Sequence, residues 1–147
     1  STRTAGRPPV GCETAQAAED AFYDALEAGD VDALMAVWDD ADDLACLLPM
    51  QPLLHGRVAI RETFRQAFQA LQGIDIHAAH LQWLTWGDTA VHLLEERVAG
   101  PDSRLAPPVY AANLYRRGPA GWRLVMHQNA PSPPPAGSVP GMVSPPR

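Results

Sequence analysis

The chain has 147 residues and a mass of 15.9 kDa, room for one domain with one core and one internal pocket, not for two domains. With 46% hydrophobic and 19% charged residues it has the composition of a globular protein, which excludes disorder as its main state. The net charge is −6, and eleven of the 17 acids crowd between Arg7 and Arg57, where no basic residue occurs; such a first third repels phosphate backbones and speaks against a nucleic-acid partner.

Residues 1–11 are polar and aperiodic and read as a flexible arm. Thr14 can cap a helix on which Ala15, Ala18, Phe22, Ala25 and Leu26 recur at spacings of three and four, and Gly29 can close it. Asp30 then caps a shorter helix whose Leu34, Val37 and Trp38 share a face, ending in the acidic turn 39–43. Leu44 to Leu48 is a short apolar run that Pro49 and Pro52 interrupt, which suits a brief strand and a bend. Gly56 opens a third helix lined by Ile60, Phe64, Phe68 and Leu71, with Arg61 and Arg65 outward and Gly73 as its stop.

After Gly73 the period falls from about 3.6 to 2. Residues 74–86, 89–98, 109–116 and 122–129 are strand candidates, separated by Gly87-Asp88, by 99–108 and by 118–121. Helices followed by antiparallel strands indicate an α+β fold, a sheet with its helices packed on one face. Three short helices cannot cover both faces of four long strands, so a homodimer built sheet to sheet is expected. Residues 131–147 hold seven of the 15 prolines and read as a Pro-rich tail of extended path. The single domain is thus expected over 12–130.

Several chemistries are excluded or disfavoured at once. All eleven basic residues are Arg, so neither a Schiff-base lysine nor a Gly-Lys-Ser/Thr phosphate loop is possible. No apolar run approaches the roughly 18 residues of a membrane span, and no signal peptide is visible; a soluble, cytoplasmic protein with no membrane partner is expected. Cys12 and Cys46 then default to free thiols, the alternative being one bridge in an exported protein.

The run Phe22-Tyr23-Asp24-Ala25-Leu26-Glu27-Ala28-Gly29-Asp30-Val31-Asp32-Ala33-Leu34 is followed in order by four further motifs: His55-Gly56-Arg57, Gly87-Asp88-Thr89-Ala90-Val91, Tyr115-Arg116-Arg117 and Gly121-Trp122-Arg123-Leu124-Val125. Together they resemble the nuclear-transport-factor-2-like superfamily, nearest its SnoaL-like and ketosteroid-isomerase-like bacterial domains. The resemblance implies a cone: a curved antiparallel sheet wrapped around the N-terminal helices, with a central pocket for a small, mostly apolar molecule. It does not settle function, because members include isomerases, cyclases, dehydratases, epoxide hydrolases and non-catalytic binding or assembly domains.

The isomerase resemblance implies a Tyr on the first helix, a base on the first short strand and an acid deep in the sheet. Those positions fall here on Phe22, on Leu47 and near Ala111 or Ala112, so ketosteroid isomerase activity is not expected. Tyr23 lies about 100° round the helix from Phe22. The epoxide hydrolases use an Arg between two acids. Alternation puts Glu95 and Arg97 on one face of their strand and Glu96 on the other, and an exposed ion pair accounts for that triplet. No carboxylate is assigned to the interior; Asp43, Asp75 and Glu95 are what remain.

Among the histidines, His127 is the candidate catalytic group, since Val125, His127 and Asn129 share the strand face that the resemblance turns toward the pocket; a satisfied core histidine is the bland alternative. His55 is placed at the pocket rim, and Tyr23, Trp38, Phe64 and Tyr110 join Val125 and Asn129 as candidate ligand contacts, although aromatic groups at such spacing are first of all core. His77 and His80, three apart on a strand, face opposite ways, so no metal is expected, and no other cofactor is implied. Three functions stay open: a module holding a small apolar molecule; an isomerase, cyclase or dehydratase using His127; and a dimeric assembly domain whose tail recruits a partner.

Overall fold

A computed structural model describes residues 12–71, 74–99 and 107–133; the arm 1–11, Gly73 and the tail beyond 133 lie outside them. Helix α1 runs Ala15–Ala28. The Thr14 hydroxyl accepts from the Ala17 N–H at 3.0 Å, and Gly29 closes the helix at φ 64°, a left-handed conformation that costs glycine little. Helix α2 (Val31–Val37) starts where the Asp30 carboxylate accepts from the Ala33 N–H at 3.0 Å, and Trp38 leaves it in extended conformation. Helix α3 spans Arg57–Ala70.

Arg57 joins the last two helices. Its guanidinium donates to the carbonyls of Met35, Trp38 and Asp39 at 3.1, 3.0 and 2.7 Å. The end of a short helix leaves such carbonyls unpaired, and a fork of fixed donors suits three of them at once. Gly56, at φ 87°, turns the chain into α3 while its N–H donates to Leu44 O at 2.9 Å.

The strands are β1 (Ala45–Leu47), β2 (Leu54–His55), β3 (Asp75–Trp86), β4 (Thr89–Ala99), β5 (Val109–Gly118) and β6 (Gly121–Pro131). They form one curved, unclosed α+β sheet in the order β2-β1-β6-β5-β4-β3. The four long strands fall where the period-2 pattern places them. The sheet is mixed, however, because β1 runs parallel to β6. Trp38 already bridges Leu124 in parallel, so the chain leaving α2 enters the sheet alongside β6. The two-residue strand β2 has no sequence signal of its own.

One sheet face is buried under the helices. Along β4 the pattern alternates, with Ala90, His92, Leu94 and Glu96 inward, and on β5 Ala111, Asn113 and Tyr115 continue the inner face. Phe22, Trp38, Leu34, Leu44, Ile60, Leu94, Tyr115 and Leu124 are fully buried in the core, each apolar side chain contributing on the order of 1.5–3 kcal/mol of transfer free energy. No helix among the described residues is long and apolar enough to cross a membrane.

Two polar contacts pin α1 to the sheet. The first centres on Glu19, which is buried on α1. Its carboxylate accepts from His80 Nε2 at 2.5 Å on β3, from His92 Nδ1 at 3.1 Å on β4 and from Gln16 at 2.9 Å. His92 in turn stacks on Trp83 with ring centroids 4.7 Å apart. Burial pushes the Glu19 carboxyl up, but the hydrogen bonds from His92, His80 and Gln16 outweigh it and hold it below the usual 4.5. A depressed value stabilises the fold above the unfolded pKa, and that contribution is lost as pH falls through the folded value. Glu19→Gln should therefore cost about 2 kcal/mol at neutral pH, and the deficit against wild type should shrink as pH falls below 4.5. Urea unfolding of both proteins across that range measures it.

Candidate functional site

The second contact is Tyr23, one turn along α1 from Glu19 and so on the same face. Its hydroxyl donates to Glu96 Oε2 at 2.5 Å and accepts from Asn113 Nδ2 at 3.0 Å. Asn113 Oδ1 lies 2.5 Å from His127 Nδ1, and His127 Nε2 lies 2.9 Å from Asn129 Oδ1. Asn129 Nδ2 then donates to Glu96 Oε1 at 2.7 Å and to the Tyr110 carbonyl at 3.1 Å. Tyr23, Glu96, Asn129, His127 and Asn113 thus close a ring of hydrogen bonds on the inner face of the sheet.

Four of the five are buried: Tyr23 at 8% exposure, Glu96 at 7%, His127 at 3% and Asn113 at 0%. Asn129 is half-buried and carries the ring toward the surface. Register assembles the members. His127 lies opposite Asn113, and Ala111 opposite Asn129. The ladder shifts between Leu114 and Tyr115, whose partners are Met126 and Leu124, so Val125 is bulged. Such a bulge resets which side chains face inward. Phe22 packs against the His127 ring at 5.2 Å, and Cys46 is the register partner of His127 on β1.

The electrostatics follow from burial beside one carboxylate. Burial, with Glu96 adjacent, pushes the Tyr23 phenol far up, so that it stays a protonated donor. Burial and Glu96 push the Cys46 thiol up to about 12, which leaves it a poor nucleophile. Burial drives His127 down, while the Glu96 charge and the Asn129 hydrogen bond oppose it. The site links a phenol, a carboxyl group and an imidazole in one hydrogen-bonded ring, through Asn113 and Asn129, groups of the kind that general acid–base chemistry uses.

Of the candidate contacts, Tyr23, His127 and Asn129 come together here. Val125 packs against the core beside them. Trp38 lies one ring away, its centroid 6.5 Å from Phe22, and Phe64 pairs with Phe68 under α3. His55 is exposed on β2. Tyr110 joins through its carbonyl, while its side chain lies at the hollow described below. Phe22, where the isomerase resemblance implies a Tyr, packs edge-on against Tyr23. Both neighbours are buried because the sheet covers a wide face of α1, so the neighbouring helical stripe also looks inward.

Glu96 and Asn113 were not among the sequence candidates. The interior does hold a carboxylate, and it is none of Asp43, Asp75 and Glu95. Glu95 pairs with Arg97 at 3.6 Å on the other side of β4, as alternation requires, and Asp75 lies by His77 at 3.1 Å near the surface. The available signal was that Ala90, His92, Leu94 and Glu96 continue one face. No cluster of three or more His, Cys, Asp or Glu side chains among the described residues could hold a metal ion.

Three hollows stand out among the described residues. The first, about 400 Å³, is lined by Leu81, Gln82, Leu93, Tyr110, Ala112 and Gln128, among others, toward the side of the sheet away from the helices. The others lie between α1 and α3, beside Gly29 and Phe68, and among Arg57, Arg61 and Arg123. None of the three opens between the ring and the helices.

This arrangement of three helices against a curved six-stranded sheet is the architecture of SnoaL-like proteins, and a SnoaL-like domain matches residues 15–133. The chain belongs to that family. A solved structure from Thiobacillus denitrificans, provisionally named a calcium/calmodulin-dependent protein kinase type II association domain, is 35% identical over 85% of this chain and 99% of its own, with a TM-score of 0.79. A provisionally named dehydratase of the NTF2-like family from Streptomyces avermitilis is 28% identical over 80% of this chain and 92% of its own, at 0.72. A ketosteroid isomerase-like protein from Erwinia carotovora shares the fold at 19% identity, covering 81% and 94%, at 0.62. No curated protein matches the chain.

Proposed function

We propose that the protein binds a small, largely apolar molecule bearing a carbonyl or hydroxyl group at the inner face of the sheet and moves a proton on it. Glu96 is the base, Tyr23 the donor that polarises the oxygen, and Asn113, His127 and Asn129 hold the two in place. The observation that carries this reading is the buried Glu96 carboxylate 2.5 Å from the Tyr23 hydroxyl. A purely holding role rests on an interior without carboxylates, and Glu96 removes that ground. A carboxylate shielded from water can abstract a proton next to a carbonyl, and a phenol facing it can stabilise the oxyanion that forms. The provisionally named dehydratase of similar fold favours a lyase or isomerase among proton-transfer reactions. None of the three hollows opens onto the ring, so a ligand reaches it by displacing side chains beside Asn129, its half-buried member.

A second observation favours self-association as well. The hollow on the uncovered sheet side is largely apolar, and Leu81 and Trp86 are 56% and 59% exposed. A second copy packed sheet to sheet would cover it, leaving the inner site of each protomer free. The 35% identical neighbour, provisionally named an association domain, favours this reading.

Two experiments test these readings. Wild-type protein mixed with a panel of β-hydroxy ketones, β-hydroxy acids and cyclic enones should bind or turn over at least one, followed by calorimetry and proton NMR. Glu96→Gln should lower turnover by about 10²-fold or more while the protein remains folded; wild-type rates in that variant would exclude Glu96 as the base. Light scattering after size exclusion should give a dimer for wild type and a monomer for Leu93→Asp. A monomeric wild type would exclude the sheet-to-sheet pair.

A further inference from the structure

The ring closes only for certain proton counts. Asn129 is fixed in orientation, because its amide nitrogen reaches two acceptors, Glu96 Oε1 and the Tyr110 carbonyl. Turning it over would set an amide oxygen against a carbonyl oxygen. Asn129 therefore presents its oxygen to His127 Nε2, which must carry a hydrogen to bond at 2.9 Å. The further neighbour of Asn113 is the buried Tyr115 hydroxyl, which can donate or accept and so does not fix the amide. Its orientation depends on whether the Tyr23 hydroxyl points its hydrogen at Glu96 or at Asn113 itself.

Two arrangements satisfy every group. In the first, His127 carries hydrogens on both ring nitrogens and Glu96 is ionised. Nδ1 donates to Asn113 Oδ1, Asn113 Nδ2 donates to Tyr23, and Tyr23 donates to Glu96. In the second, Glu96 is a carboxylic acid donating to the Tyr23 oxygen, Tyr23 donates to Asn113 Oδ1, and Asn113, turned half a revolution, donates to a bare His127 Nδ1. Both contain the same number of protons and carry no net charge. The usual state of separate groups at neutral pH, an ionised Glu with a neutral His, holds one proton fewer. It leaves two acceptors facing each other somewhere around the ring and buries one unbalanced negative charge. An unpaired buried polar group costs about 1–3 kcal/mol, and an unbalanced buried charge costs more.

We infer that the ring formed by Tyr23, Glu96, Asn129, His127 and Asn113 keeps one extra proton as a unit, shared between His127 and Glu96, with the Asn113 amide turning over as the proton changes hosts. The titratable groups in and around the ring besides His127 are Glu96 from β4, Tyr23 from α1, Tyr115 from β5 and Cys46 from β1. Tyr23, Tyr115 and Cys46 are all pushed up, by burial first and by Glu96 besides, and stay protonated, so His127 and Glu96 are the two hosts. Such a pair titrates as one system. For the chemistry proposed above, on which the inference rests only for its use, the site then offers an acid as well as a base: a proton taken from the ligand by Glu96 in one arrangement, or given by it in the other.

The test uses the wild-type fold and no ligand. In nitrogen-15 spectra of the histidines, with the exposed His55 and His77 replaced by Gln to simplify assignment, His127 should keep a hydrogen on Nε2 throughout about pH 5 to 8. It should show no titration midpoint in that range. A neutral ring bare at Nε2, or a midpoint inside the range, overturns the inference. Infrared difference spectra against Glu96→Gln supply the second readout. A carboxylic acid carbonyl band lost in the variant, or its absence together with a doubly protonated His127, supports the shared proton; its absence together with a neutral His127 overturns it. A ring found one proton short leaves Glu96 available as the base proposed above. A ring that keeps its proton in a protein that takes none of the probe compounds leaves this inference standing and removes that functional reading.

Discussion

A carboxylate shut away from water constrains everything around it. Glu96 is 7% exposed on a strand whose inner face is otherwise largely apolar, and a buried charge is tolerated only when partners replace the lost hydration. Tyr23 supplies one hydrogen bond from α1 and Asn129 another from β6, which ties the first helix and the last strand to β4. His127 and Asn113 complete the circuit. The orientation of the Asn113 amide and the hydrogen on His127 Nδ1 follow from where the shared proton sits, whereas Asn129 is held by the Tyr110 carbonyl. The chemistry available to the protein depends on the same point, since a free carboxylate is a base and a protonated one an acid.

The scaffold serves this arrangement by setting two registers. On α1, Glu19 and Tyr23 lie one turn apart and face His92 and Glu96 of β4, which share the inner face of their strand. A rotation of the helix would unpair both contacts, so they specify its facing more sharply than apolar packing does. On β6, the bulge at Val125 lets Leu124 pair with Tyr115 while His127 meets Asn113. Without that extra residue the alternation from Leu124 would direct Met126 and Gln128 inward, and the ring would lack two members. Irregularity in a sheet beside a site is thus a means of aiming side chains.

Much of the fold was legible because it rests on local rules. Thr14 and Asp30 cap the helices that their hydroxyl and carboxylate predict, Gly29 takes the left-handed position, and the change of period after Gly73 marks the long strands. The site was only partly legible. His127 and Asn129 share the inner face as alternation suggests, but Glu96, flanked by Glu95 and Arg97, reads as part of an exposed charged triplet. Its burial shows only when Ala90, His92 and Leu94 are followed to the next position on their face. Asn113 is a neutral residue without a motif, and its role exists only through its pairing with β6. Tyr23 looked misplaced from its offset to Phe22, yet α1 is covered over more than one stripe. Bulges and the parallel entry of β1 depend on contacts between distant segments, which no local pattern contains.

These five polar side chains act as one unit around Glu96. A double-mutant cycle of Tyr23→Phe and Asn129→Ala, followed by urea unfolding, tests it most directly, because the two residues share Glu96 without bonding to each other. The expected coupling is about 1 kcal/mol or more, of the size found within shared networks. Losses that simply add, to within about 0.5 kcal/mol, would contradict it.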